Sequence, residues 1–249
     1  MKIGAQLYTV REYTQNVTDF TATIQKIADI GYKYVQVSGI GPIPAKEVAD
    51  ICAAHGVKIV ITHTPPARVK DETLSVIEEH CAMGAKYIGI GAMPGEYPRN
   101  ADGVKRFIED FSPAVEQIRH AGMFFMYHNH AFEFEKYGGK RMIEFLMEGW
   151  PHAGFTLDTY WVQYAGGAPA AWLRKLKGRV PVIHLKDMAF VQDQQRMCEV
   201  GEGNLNWPVI FSSCIEAGVE YAMVEQDDCY GADPFECLRT SFGHLEGVI

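Results

Sequence analysis

Residues 122–133 read Gly-Met-Phe-Phe-Met-Tyr-His-Asn-His-Ala-Phe-Glu. An apolar run long enough for one buried strand ends at His128, and a second histidine and a carboxylate follow. Buried parallel strands are near-continuous apolar runs, so the change of chemistry marks where this strand leaves the core. Alternation along a strand places His128 and His130 on one face and Asn129 on the other. Later stretches repeat the design: 155–158 ends in Asp158, 180–186 in His184 and Lys186, 221–227 in Glu225 and Asp227. Apolar strands tipped with groups that bind metals or move protons describe one site at one end of a sheet.

Outward from this stretch, strand-like runs at 2–8, 34–37, 57–62, 86–90, 122–128, 153–158, 180–186 and 220–225 alternate with helical patterns. The helices are expected at 17–30, 44–55, 71–83, 101–120, 139–147, 168–176, near 207–217 and at 233–245. Phe20, Ile24, Ile27 and Ile30 show helical spacing, and Gly31, Gly56 and Gly84 stand where helices exit. Asp233 is the expected N-cap of the last helix, with Pro234 at its first position. This count and spacing predict an α/β protein, a (β/α)8 TIM barrel, as a single domain over 1–249. A doubly wound sheet would carry a glycine-rich phosphate loop after an early strand; neither GxGxxG nor a Walker pattern follows strand one.

The net charge of −8 argues against a nucleic-acid or anionic-membrane binder, since phosphate contact needs a basic surface. The start is strand-like and lacks the apolar core of a signal peptide, and no run approaches a membrane span of about 20 residues. The six cysteines lack CxxC or knuckle spacing and read as reduced thiols, so a cytoplasmic protein is expected. The outer helices of a barrel would allow a homo-oligomer, which no segment specifies.

Barrel active sites sit at the C-terminal strand ends. Those ends carry Tyr8, His63, His128 or His130, Asp158, His184 with Lys186, and Glu225 with Asp227. Carboxylates and imidazoles together suit a divalent ion such as Mn, Mg, Co or Zn. Asp158, His184 and Glu225 lie on adjacent strands six, seven and eight, so their tips can converge. A fourth ligand would come from strand five, where His128, His130 and Glu133 compete.

The chain resembles the sugar phosphate isomerase/epimerase superfamily, the xylose-isomerase-like barrels that include inosose dehydratases, hydroxypyruvate isomerases and ketose 3-epimerases. The resemblance spans essentially the whole chain. It is most specific at 127–134 (YHNHAFEF), 157–161 (LDTYW), 184–187 (HLKD), 200–207 (VGEGNLNW) and 224–225 (VE). It implies a metal held by Glu, Asp, His and Glu from strands five to eight, the last three being Asp158, His184 and Glu225. The family's strand-five glutamate position falls at His128, which leaves either that histidine or nearby Glu133 as first ligand. A two-glutamate proton shuttle is thereby placed in question.

The expected chemistry is isomerisation or epimerisation of a small sugar or keto-sugar through an enediolate. Glu225 would serve as base, His130 (or Glu133 if unligated) as second proton carrier, and Lys186 would hold a hydroxyl or developing oxyanion. Gln6, Tyr8, His63 and Trp161 would line the substrate pocket. Arg11 and Arg68 are candidate phosphate contacts, more naturally solvated loop charges, and 201–207 is a candidate lid. β-Elimination on a keto-polyol or 3-keto-glycoside is the alternative, because strand five is histidine-rich. A sugar-binding barrel without turnover is the reading from a different class; the Asp/His/Glu set argues against it.

Overall fold

A computed structural model describes residues 1–248. Eight parallel strands close into a barrel: β1 (Lys2–Gln6), β2 (Tyr34–Val37), β3 (Lys58–His63), β4 (Tyr87–Ile90), β5 (Phe124–His128), β6 (Gly154–Asp158), β7 (Val182–Leu185) and β8 (Tyr221–Val224). Each strand pairs with its sequence neighbours and β1 closes on β8, through Ala5 opposite Val224, so the expected (β/α)8 barrel is the fold.

The crossover helices bury one stripe each against the outer face of the sheet. In α1 (Val17–Ile30) the stripe is Phe20, Thr23, Ile24, Ile27 and Ile30; Asn16 caps its start and Gly31, at φ 124°, ends it. The second helix, α2 (Ala45–Ala54), is shorter than expected by the residue at each end. The helix expected at 71–83 is α4 (Thr73–Met83), starting two residues later, and a short α3 (Pro66–Asp71) precedes it. Helix α5 (Ala101–His120) carries Pro113 on its exposed side, where the missing donor faces water. The rest are α6 (Met142–Gly149), α7 (Thr159–Tyr164), α8 (Pro169–Lys175), α9 (Trp207–Ala217) and α10 (Pro234–Leu245), the last capped by Asp233 as expected.

Alternate strand residues fill the lumen. At its waist Val182, Ile61, Met126 and Met223 pack with Tyr87. Gly4 and Gly154 make room for this plug: a Cβ at Gly154 would lie 2.3 Å from the Met126 sulfur, and one at Gly4 2.5 Å from that of Met223. Two residues further along the same strands the inward positions become His128, His184 and Glu225. The site is thus a polar layer on an apolar floor.

Two hairpins decorate the barrel, Lys136–Tyr137 with Lys140–Arg141, and Asp187–Val191 with Gln194–Cys198. The loop 201–207 after the second is the candidate lid of the sequence reading. It is instead a fixed support: buried Asp187 accepts from the N–H groups of Gly201 (3.0 Å), Gly203 (3.1 Å) and Leu205 (3.2 Å) and from Trp207 Nε1 (2.6 Å). None of its residues lines the main cavity. Gly203 is needed for this close approach, since a Cβ there would stand 2.3 Å from Asp187 Oδ1 and 2.6 Å from the Met188 carbonyl. Gly203→Ala should therefore destabilise the fold by about 1–3 kcal/mol, as overpacking does. Urea melts would show it, and an unchanged midpoint would remove Asp187 as the organiser of this loop.

Candidate active site

Four strand tips meet over the floor. One ligand atom each from His128, Asp158, His184 and Glu225 lies within 4.8 Å of the others, and all four residues are buried. His128 and Asp158 end β5 and β6, His184 is the last residue but one of β7 and Glu225 follows β8, so parallel register brings them to one level; Asp158 pairs with His184 across β6–β7. Of the two strand-five alternatives, His128 joins this cluster and Glu133 does not. The Glu133 carboxylate is turned into the protein, accepting from Tyr127 Oη at 2.7 Å and from the His130 N–H at 2.8 Å.

Each imidazole is oriented by its far nitrogen. His128 Nδ1 meets the Gly91 carbonyl at 2.9 Å, which turns Nε2 toward Asp158 Oδ2 at 3.3 Å. His184 Nε2 meets Gln36 Oε1 at 2.7 Å, which turns Nδ1 toward Glu225 Oε2 at 2.9 Å. A second partner of this kind fixes ring and tautomer at metal-binding histidines. Asp158 divides its oxygens: Oδ1 accepts from the Trp161 N–H and caps α7, while Oδ2 faces the cluster. Asn129, on the opposite face of the β5 tip, accepts from the Asp158 N–H at 3.1 Å and ties the two tips together.

His184 Nδ1 and Glu225 Oε2 approach closely, yet neither makes an aligned hydrogen bond with any described residue. Two buried acceptor atoms aimed at each other call for a proton or a cation between them. Two imidazole nitrogens and two carboxylates form a donor set that suits a divalent ion, so the residues fit the cofactor that the sequence pattern implies.

Lys186 is the resident cation. Its buried ammonium lies 3.2 Å from Asp158, 2.9 Å from Glu225 and 2.9 Å from Asp227. Burial alone would raise the Asp158 and Glu225 carboxyls; Lys186 and the facing imidazoles outweigh it and hold both well below the usual range. For Lys186 burial works against the charge, but the three carboxylates overcome it and hold the ammonium protonated. Asp227 is pushed up to about 6 by burial and by Glu225. His63 is lowered by burial and by His128 and His184, and His130 is lowered to about 3 by burial, His128 and Lys186; both are neutral imidazoles near pH 7.

A cavity of about 580 Å³ opens above the cluster, and Tyr8, His63, His130, Lys186, Glu225 and Asp227 are among its lining residues. Of the four residues expected to line the pocket, Tyr8 and His63 do so. Gln6 lies beneath, accepting from the Tyr8 N–H, and Trp161 stands behind His130 with ring centroids 5.3 Å apart. Arg11 reaches the rim, its guanidinium over the Tyr8 ring and bonded to the Asp227 carbonyl. Arg68 is held by Glu72 and Glu79, away from the cavity. Sequence reasoning missed Gln36 and the loop 91–94. A glutamine inside the otherwise apolar run Tyr34-Val-Gln-Val is the available signal for the first. The loop contributes backbone and apolar atoms, which leave no signature.

Among the described residues no helix is long and apolar enough to cross a membrane. No curated protein matches the chain in sequence. Solved structures do match in fold. A sugar phosphate isomerase/epimerase from Parabacteroides distasonis superposes with a TM-score of 0.84 at 22% identity, covering 99% of this chain and 96% of that one. An L-ribulose 3-epimerase gives 0.76 at 13% identity, covering 99% and 94%. The probable 3-DHS dehydratase AsbF from Bacillus anthracis, involved in petrobactin synthesis, gives 0.75 at 13% identity over 100% of both chains. The family model described as xylose isomerase-like TIM barrel matches residues 24–234, and the chain belongs to that family.

Proposed function

We propose that the protein is a divalent-metal-dependent isomerase or epimerase of a small sugar or keto-sugar, working through an enediolate. The observation that supports this reading is the buried group of His128, Asp158, His184 and Glu225, in which His184 Nδ1 and Glu225 Oε2 face each other at 2.9 Å without an aligned hydrogen bond. These four side chains would hold Mn, Mg, Co or Zn. When bound, the ion supplies Lewis-acid stabilisation to a carbonyl and its neighbouring hydroxyl as the α-proton leaves.

The chain's own groups do the rest. Glu225 faces the cavity as an ionised carboxylate and is the base. His130 lines the cavity with its buried Nδ1 free of any described partner and is the second proton carrier, a weak base in the metal-free protein because burial, His128 and Lys186 lower it to about 3. Lys186 directs its N–H groups at Asp158, Glu225 and Asp227, so a substrate oxygen reaches it by displacing one of them. Tyr8 offers a flat wall to a sugar face.

One observation favours β-elimination as a second reading. Asp227 lines the cavity and is protonatable near neutrality, so it is an acid for a departing hydroxyl or alkoxide. His128, in turn, stands where a two-carboxylate shuttle would need its other carboxylate.

Metal-loaded protein incubated with a panel of ketoses in D2O separates the readings. Deuterium at a carbon beside the carbonyl without loss of water supports isomerisation or epimerisation. An ultraviolet-absorbing enone or a released aglycone from keto-polyols or 3-keto-glycosides supports elimination; neither product from fully loaded protein would sink both. Asp158→Ala and Glu225→Gln should each lower turnover by about 10²–10³-fold or more while melting cooperatively, and titration calorimetry with MnCl2 should show weakened binding. Either variant keeping wild-type turnover would refute the ligand set. Lys186→Met leaves carboxylates buried without their counter-ion and should destabilise the metal-free protein by roughly 3–5 kcal/mol. Saturating Mn²⁺ should restore much of the loss in a thermal melt; a variant as stable as wild type without metal would show that the ammonium is not the internal counter-charge.

A further inference from the structure

Glu133 is fully buried, takes no part in the ligand cluster, and is nevertheless wired to two sides of the cavity. It sits in a short 3-10 turn, Phe132–Phe134, just past the β5 tip. One oxygen accepts from the His130 N–H, fixing the backbone of a residue that lines the cavity. The other accepts from Tyr127 Oη, and that same hydroxyl oxygen accepts from the Met93 N–H at 2.9 Å. Met93 belongs to the wall loop 91–94, whose Gly91 carbonyl is held from the other side by His128. Neighbouring β5 residues on opposite faces therefore grip one loop, and Glu133 completes the outer grip.

We propose that Glu133 is a positioning residue for the cavity: through Tyr127 and the His130 backbone it fixes where the wall loop 91–94 and His130 stand relative to the ligand cluster. This rests on reading the cavity as the substrate site. The directions of the hydrogen bonds give the reason. An ionised Glu133 accepts from both donors, which leaves the Tyr127 oxygen free to receive the Met93 N–H. A proton on the Tyr127-facing oxygen would donate into that hydroxyl instead, compete with Met93, and leave the tyrosine proton without an acceptor. Burial, opposed by the Tyr127 and His130 bonds, brings the carboxyl to about 7, so both states are accessible near neutrality. The groups facing it are Tyr127 from β5, whose own proton burial holds firmly, Arg99 from the loop after β4, and Tyr137 from the first hairpin.

Selective 15N-methionine labelling makes Met93 a direct reporter, with Met223 on the opposite wall as control. Tyr127→Phe and Glu133→Gln, both close to isosteric, should each accelerate hydrogen exchange of the Met93 amide by about tenfold, the loss of one hydrogen bond, with Met223 unchanged. In the wild type the Met93 amide shift should follow a titration near neutrality as Glu133 loses its proton with rising pH, and Glu133→Gln should abolish it. The proposal is overturned by Met93 protection that survives Glu133→Gln, by equal acceleration at Met223, which would mark general loosening, or by a pH-independent Met93 in the wild type. No turnover is measured, so failure of the sugar assays and failure of this relay are separate results.

Discussion

The site depends on one electrostatic constraint: acidic oxygens from Asp158, Glu225 and Asp227 are drawn to one point in a water-poor pocket. Isolated carboxylates there would be untenable, since burying an unpaired charge costs several kcal/mol. Lys186 answers part of the demand from the edge of the group. His184 answers another part: burial would lower its pKa, yet Glu225 and Asp158 raise it. Lys186 and the imidazoles of His128 and His184 together keep the Asp158 and Glu225 carboxyls ionised in this group.

Much of this was legible because a strand period of two is unforgiving. Once Met126 and Met223 are assigned to the lumen, His128 and Glu225 must follow on the same side. Asp158 also shows why a cap reading and a place in the cluster need not compete, for Oδ1 caps α7 while Oδ2 faces His184. What stayed hidden was structure without apolar periodicity. The hairpin Asp187–Val191 with Gln194–Cys198 passes through Gln192 and Asp193 at positive φ in a polar stretch that reads as loop. Helix α7 is too short for a 3.6-residue repeat to appear. The helix expected over 139–147 starts later because residues 136–141 first form a small hairpin.

Glu133 was ambiguous for a different reason. Its spacing from His128 allows either a ligand or a buried support, and only the direction of the chain after the β5 tip decides. The 3-10 turn carries it away from the cluster, to the hydroxyl of Tyr127. Sequence could name the competitors on strand five; the tertiary path chose between them.

The lumen plug has a bearing on how such a cavity changes over time. Its depth is set by unbranched thioethers lying against glycines on adjacent strands, Met126 against Gly154 and Met223 against Gly4. Methionine adapts its shape more readily than a branched aliphatic residue. Exchanges among these four positions would therefore raise or lower the base of the chamber while His128, Asp158, His184 and Glu225 keep their strands and levels, so the depth of the cavity is set apart from the polar layer above it.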